Sequence, residues 1–340
     1  MRSYVGIDLH SNNSYVVIAD ETDKISYKKR LENDAELILN ELAPYRESVV
    51  GVVVESTYNW YWLVDRLQEN GYRVHLANTN AIQQYSGLKY TDDHTDAAWL
   101  AQLLRLNLLR TGHIYPKEKR GIRELLRRRM ILVRQQTATV LGIQSMLTRY
   151  ENVKLTGEKI KSNCAKEKEI LKHAKDESVQ IALKAQLKIL SCIIEQVDVL
   201  EKTILKEMKN DEFFALLKSI PGIGSILAMT ILIETGEISR FSGAGNYSSY
   251  CRCVESKRIS NAKKKGENNR KNGNVYLSWA FVEAANYAIR FSDPIKKYYQ
   301  RKLNKTKRVV AIKTIANKLS KACYFMLRDK VRFDMQKLFG

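Results

Sequence analysis

Proline, paired cysteine and long apolar runs are what this chain has little of. It holds 4 prolines and 5 cysteines in 340 residues. Its longest apolar run is Ile226 to Ile233. A bilayer-spanning helix needs roughly 20 such residues, which excludes a helical membrane protein. The cysteines lie at 164, 192, 251, 253 and 323. Only Cys251 and Cys253 are close, and without a second pair no zinc ligand set is complete. Scattered cysteines in odd number fit a reducing cytoplasm rather than a disulfide-stapled secreted domain. No signal sequence precedes the first strand-like run, which starts at once.

Acidic residues are also scarce beside basic ones, 37 against 57, and the net charge is +20. The excess is clustered. Residues 117–134 and 252–271 each carry eight basic and two acidic residues, and residues 296–332 carry thirteen and one. Aromatic residues are interleaved with these runs. One basic run is adequately explained as a solvated face. Three of them form the electrostatic footprint of a nucleic-acid partner.

What is present begins with strands. Tyr4 to His10 and Ser14 to Asp20 are β-rich runs split by the turn residues Ser11-Asn12-Asn13. Lys24 to Leu31 is a third run, followed by a helix from Ala35 to Leu42 that stops at Pro44. Val49 to Ser56 reads as a buried strand, Asn59 to Asn70 as an amphipathic helix, and Tyr72 to Ala77 as a fifth strand. A loop with Gly87 leads to a helix over 95–110. The order βββαβαβα predicts an α/β domain of the ribonuclease H arrangement over residues 1–112. Long helices follow over 113–212, and a mostly helical C-terminal domain over 213–340.

Residues 117–148 read as a long basic helix, and residues 158–209 as helical and nearly free of glycine and proline. Leu183, Leu187, Leu190, Ile194, Val197, Ile204 and Met208 form a 4–3 seam, broken only at Glu201. Such a coiled-coil seam needs a partner, either its own domain or a second subunit. Ser219-Ile220-Pro221-Gly222-Ile223-Gly224 lies between two apolar stretches. It reads either as an ordinary turn between helices or as a helix-hairpin-helix, with Gly222 and Gly224 letting backbone N–H groups approach a phosphate. Tyr250 to Gly273 reads as a long polar loop, Asn274 to Arg290 as a helix, and residues 296–337 as a closing basic helix.

Chemistry is expected at four carboxylates. Asp8 stands near the end of the first strand and Glu55 ends the fourth, the neighbouring strand in a ribonuclease H sheet. Asp93 and Asp96, three apart, open the helix that follows the fifth strand. Asp92 competes with Asp93, and one of these residues can serve as a helix N-cap. Four carboxylates converging on one sheet edge repel one another unless cations lie between them. With two Mg²⁺ ions they form a phosphoryl-transfer site.

In VGIDLH with Asp8, VVVEST with Glu55, DHTDAAWLAQLL, and the segment from SIPGIG to GNVYL, the chain resembles the DEDD transposases of bacterial insertion elements. These are the Piv-like recombinases with a RuvC-type domain. The resemblance spans nearly the full length. It implies a serine nucleophile that holds DNA as a phosphoserine while strands exchange. It also implies guidance by a structured RNA from the element, which pairs with element-end and target DNA. The family's Ser-Gly pair, thirteen residues before Gly-Asn, corresponds to Ser260-Asn261 before Gly273-Asn274, with asparagine in place of glycine. The family's upstream Gly-x-x-Pro is replaced by Cys251 to Val254, and Ser256 competes for the serine role. Lys257, Arg258, Lys263, Lys264, Lys265, Arg270 and Lys271 around the serine are expected to contact phosphates. The implied protein is an Mg²⁺-dependent recombinase on double-stranded DNA. It would be a homo-oligomer, dimer or tetramer, in a prokaryotic cytoplasm. A junction nuclease lacking the serine step, or a non-catalytic nucleic-acid-binding protein, are the alternatives.

Overall fold

The computed structural model describes residues 1–82, 92–267 and 272–339, which fall into two units. The first comprises residues 1–117 with residues 256–272, and the second residues 118–255 with 273–340.

The first unit is built on a five-stranded sheet. Strands β1 (Ser3–Leu9), β2 (Asn13–Asp20) and β3 (Ile25–Glu32) are antiparallel. Strands β4 (Val49–Glu55) and β5 (Val74–Ala77) add in parallel, giving the order β3-β2-β1-β4-β5. The two-residue period of a strand sorts the side chains. Val5, Ile7, Leu9, Val52 and Val54 pack with Ile38, Leu42, Leu63 and Leu67 of helices α1 (Ala35–Leu42) and α2 (Tyr61–Glu69). Val53 and Ala77 belong to a separate cluster with Leu100 and Leu103 of helix α3 (Asp93–Arg105). α3 therefore starts two residues before the sequence suggests and ends five earlier. Beyond it Asn107 turns at φ 54° and the chain pairs Thr111 with Ala77.

Gly6 shows how closely α3 lies on β1. A Cβ at Gly6 would fall 1.9 Å from the carbonyl oxygen of Ala97 and 2.9 Å from the amide nitrogen of Ala101. Both are backbone atoms, so the helix itself would have to move. Gly6→Ala is expected to lower stability by about 1–3 kcal/mol through overpacking. Gly142→Ala, where a Cβ meets nothing within 4 Å on an exposed helix face, is expected to raise it by about 0.8 kcal/mol. Urea midpoints of the two variants check the pair, and equal midpoints would refute the close approach.

The sequence leaves Tyr250 to Gly273 a loop, yet it contains a hairpin, β6 (Arg258–Ser260) with β7 (Lys263–Gly266). Asn261 and Ala262 form its turn at φ 50° and 59°. Two successive left-handed residues are the geometry of a type I′ hairpin turn, in which asparagine is favoured.

The second unit is helical. α4 (Arg120–Glu151) and α7 (Glu177–Met208) run antiparallel, with Val140, Ile143 and Leu147 packed against Leu183, Leu187 and Leu190. The 4–3 seam is thus covered within its own chain. Leu183, Leu187, Leu190 and Ile204 are fully buried, and Glu201, the break in the seam, takes an ion pair from Arg129 at 2.7 Å. The apolar stripe does not itself require a second subunit. Residues 158–209 are not one helix. α5 (Gly157–Asn163), α6 (Lys168–Leu171) and α7 are separated by turns, and Thr156 and Asp176 cap α5 and α7.

α8 (Glu212–Lys218), α9 (Ser225–Thr235), α10 (Ala244–Tyr250) and α11 (Val275–Phe291) follow. The closing basic region is three helices, α12 (Asp293–Leu303), α13 (Arg308–Asp329) and α14 (Met335–Phe339). Glu234 of α9 is 1% exposed and receives Arg127 at 2.7 Å, Arg123 at 3.0 Å and the Asn274 amide at 2.7 Å. Among the described residues no helix is long and apolar enough to cross a membrane.

Candidate active site

The parallel register pairs Ile7 with Val54, so Asp8 and Glu55 stand one residue further along adjacent strands. Alternation puts both on the α3 face. The close contact at Gly6 brings the start of α3 over the same sheet end. Asp23, in the β2–β3 turn, accepts from Arg105 at 2.6 Å and Gln102 at 3.0 Å, which ties down the far end of that helix.

Asp8 is 4% exposed and hydrogen-bonds Glu55. Burial, that hydrogen bond, and the charges of Asp8 and Asp96 push Glu55 up to about 8. Burial raises Asp96 as well, helped by the charges of Asp8, Asp93 and Asp92 and opposed by His10. The four carboxylates expected from sequence are therefore close enough to feel one another. Asp92 and Asp93 separate by role. Asp92 is the N-cap of α3, accepting from the Thr95 amide at 2.7 Å and from its hydroxyl, and these bonds hold its pKa low. Asp93 lies inside the first turn with an oxygen 3.5 Å from His10 Nε2.

Five residues at this end lie outside the four expected carboxylates. His10 Nε2 lies 3.1 Å from Asp8 Oδ2. Donor atoms of Asp8, His10 and Asp93 all fall within 4.8 Å of one another, as a metal-binding group requires. His10 follows Asp8 by two, so the strand period alone puts them on one side. Asn33 and Asn59 donate to the His10 carbonyl at 3.0 and 3.1 Å, fixing the chain as it leaves β1. Tyr15 is the cross-strand partner of Asp8 and hydrogen-bonds Asp93. Burial, and that bond and charge, raise its phenol above the ordinary value. His94 packs edge-on against Tyr15 at 4.8 Å, and its Nδ1 is buried with no hydrogen-bond partner.

A divalent cation fits these residues. The donors are mostly carboxylate oxygens, which suit hard ions. Burial first, and then the charges of neighbouring carboxylates, raise Glu55 and Asp96, and a cation bound among them would offset that repulsion.

The remaining expected residues fall elsewhere. Ser260 is exposed at the end of β6, while the Ser256 hydroxyl is enclosed without a hydrogen-bond partner. Lys257, Arg258, Lys263, Lys264 and Lys265 are exposed on the hairpin segment, and Arg270 and Lys271 lie outside the described residues. Gly222 turns at φ 89°, and a Cβ there would sit 2.5 Å from the Ala288 amide nitrogen of α11. Its glycine is needed for packing. Gly224, the N-cap of α9, has open space around its Cα.

The first unit thus gathers carboxylates at one sheet end, in a chain of net charge +20. Residues 5–152 match the family model for the IS110 DEDD type, described as transposase. Residues 214–300 match the model described as the transposase IS116/IS110/IS902 family. The chain belongs to this IS110/IS116 family of insertion-element transposases. It is also similar to the uncharacterized 44.8 kDa protein of insertion element IS116 from Streptomyces clavuligerus. The two are 24% identical over 140 residues, 41% of this chain and 35% of that protein.

Proposed function

We propose that this protein is a DNA transposase that exchanges strands through a phosphoserine, with Asp8, Glu55, Asp93 and Asp96 as its metal-binding carboxylates. The convergence of those four groups at one sheet end, in a chain of this family, carries the reading. The strand order β3-β2-β1-β4-β5 supports a ribonuclease H or RuvC-like assignment for residues 1–112. Residues 113–212 would then be a helical connector and residues 213–340 the serine-bearing part, of which the segment 256–272 with Ser260 groups with the first unit.

When bound, Mg²⁺ would polarise the scissile phosphate and favour departure of the leaving oxygen. The chain's own residues do the rest. The carboxylates and His10 would hold the ion, and Asn33 and Asn59 fix the orientation of the β1 exit. The Ser260 oxygen forms a bond to phosphorus as the bond to a deoxyribose oxygen breaks, and the serine's proton ends on the released hydroxyl. A second deoxyribose hydroxyl reverses the step on the exchanged strand, so phosphodiester bonds are conserved. The left-handed turn at Asn261 supports Ser260 as the nucleophile, because the residue after it occupies a conformation in which glycine is at home. Its exposure, against the enclosed hydroxyl of Ser256, points the same way. Guidance by a structured RNA and a homo-oligomeric assembly complete the proposal, on the resemblance and the clustered basic charge.

The test is a covalent trap. With labelled element-end DNA, Ser260→Ala is expected to lose the denaturant-resistant protein–DNA adduct and strand exchange while still binding DNA, and Ser256→Ala to keep all three. An adduct that persists in Ser260→Ala and vanishes in Ser256→Ala reassigns the serine. Strand cleavage without any adduct in either variant means a water or DNA hydroxyl attacks, as in a junction nuclease.

A further inference from the structure

The second unit holds a groove of about 800 Å³ that the catalytic proposal does not use. One wall is a single stripe of α11, with Trp279, Glu283, Tyr287 and Phe291 spaced four apart. The floor is the turn between α8 and α9, whose uncapped first turn opens into the groove, and Lys218 and Arg129 also line it. Tyr287 and Phe291 are 45% and 69% exposed, with rings parallel to within 6°. Large aromatic faces in water cost free energy unless something covers them. The charge around them is positive. Arg290 lies 5.5 Å from the Phe291 ring, and Lys296 and Lys297 are exposed on the next helix. Glu283 is the acidic exception in the lining.

We infer that this groove takes an unpaired nucleotide of the DNA, its base stacked on Tyr287 and Phe291 beside Trp279 and its phosphate facing Lys218 and the first-turn N–H groups of α9. Three features select that occupant over a protein segment. Parallel exposed rings match a base rather than an aliphatic side chain. With Arg129 paired to Glu201, Lys218, Arg290, Lys296 and Lys297 still outnumber Glu283 and Asp293, which suits a phosphate. Backbone donors at a helix start complement an anion. Strand exchange as proposed above opens base pairs, so unpaired nucleotides would arise in it. The inference rests on DNA binding and not on the carboxylate site.

The experiment uses the full chain and a duplex carrying one unpaired 5-iodouracil, beside the same duplex fully paired. Irradiation is expected to cross-link the unpaired base to Trp279, Tyr287 or Phe291, located by mass spectrometry. Changing Tyr287 and Phe291 together to serine, both exposed and so harmless to folding, is expected to weaken binding of the bulged duplex about tenfold or more. The paired duplex should bind as before, and Phe291→Tyr should retain the preference. Equal losses on both duplexes, or a cross-link mapped elsewhere, overturn the inference. Tighter binding of an RNA strand of the same sequence overturns the assignment to DNA. A serine variant that changes oligomeric state with DNA affinity intact shows instead that the groove is a protein interface.

Discussion

Asp8→Asn is expected to abolish strand exchange without unfolding the protein. Asparagine keeps the shape of a side chain that is 4% exposed, so packing at the end of β1 is preserved. What it removes is a charge that both neighbours register. Asp8 is among the groups that drive Glu55 up to about 8, and it acts on Asp96 as well. Without divalent ions the variant should therefore be no less stable than the parent, since a repulsion has been removed. With divalent ions the effect reverses, because an oxygen of the cation site has lost its charge. Even partners one step removed from a metal typically cost about 10–100-fold in affinity or activity. Direct removal of a carboxylate should exceed about 100-fold. Strand exchange measured in Mg²⁺, with urea midpoints taken in chelator, tests both halves. Full activity in the variant would sink the cation reading, and a collapsed midpoint in chelator would show that Asp8 is structural.

The acidic end of the sheet was legible because it depends on short-range rules. A strand-end aspartate, a strand-end glutamate and two aspartates three apart on a helix need only the strand and helix periods to be placed on one face. His10 obeys the same two-residue rule, and Tyr15 follows from the hairpin register. Both are readable from those short-range rules. The hairpin over 258–266 was not readable. Its strands are polar and exposed, and its turn is set by Asn261 and Ala262, a pair without the Asn-Gly that marks such turns. The partner of the 4–3 seam was also beyond the pattern, which gives an apolar stripe but not what covers it. Only the packing of α4 on α7 decides that. The breaks between α5, α6 and α7 were marked by the caps Thr156 and Asp176, outweighed by the absence of glycine and proline.

Gly273-Asn274, part of the pattern that locates the serine, has a structural use in this fold. A Cβ at Gly273 would fall 2.5 Å from the Tyr250 carbonyl oxygen, and its φ is 88°. Asn274 caps α11 with its oxygen and donates its amide to Glu234, which also receives Arg123 and Arg127 from more than 100 residues away. Helices α4, α9 and α11 are thereby joined at one buried carboxylate. Glu234→Gln leaves two guanidinium groups facing a neutral amide. Breaking a buried ion pair from one side costs about 3–5 kcal/mol. The arginine side chains are 15% and 27% exposed, so water offsets part of this and the lower end is expected. Burial disfavours the charged form of Glu234, but the hydrogen bond from Arg127 and the charges of both arginines outweigh it and hold its pKa below 4.5. A carboxylate depressed in the folded state stabilises above its unfolded pKa, and that contribution fades as pH falls through the folded value. The gap in urea midpoint between parent and Glu234→Gln should therefore be full at pH 7 and close progressively below pH 4.5. A gap that stays constant down to pH 3 would mean that Glu234 matters for shape alone.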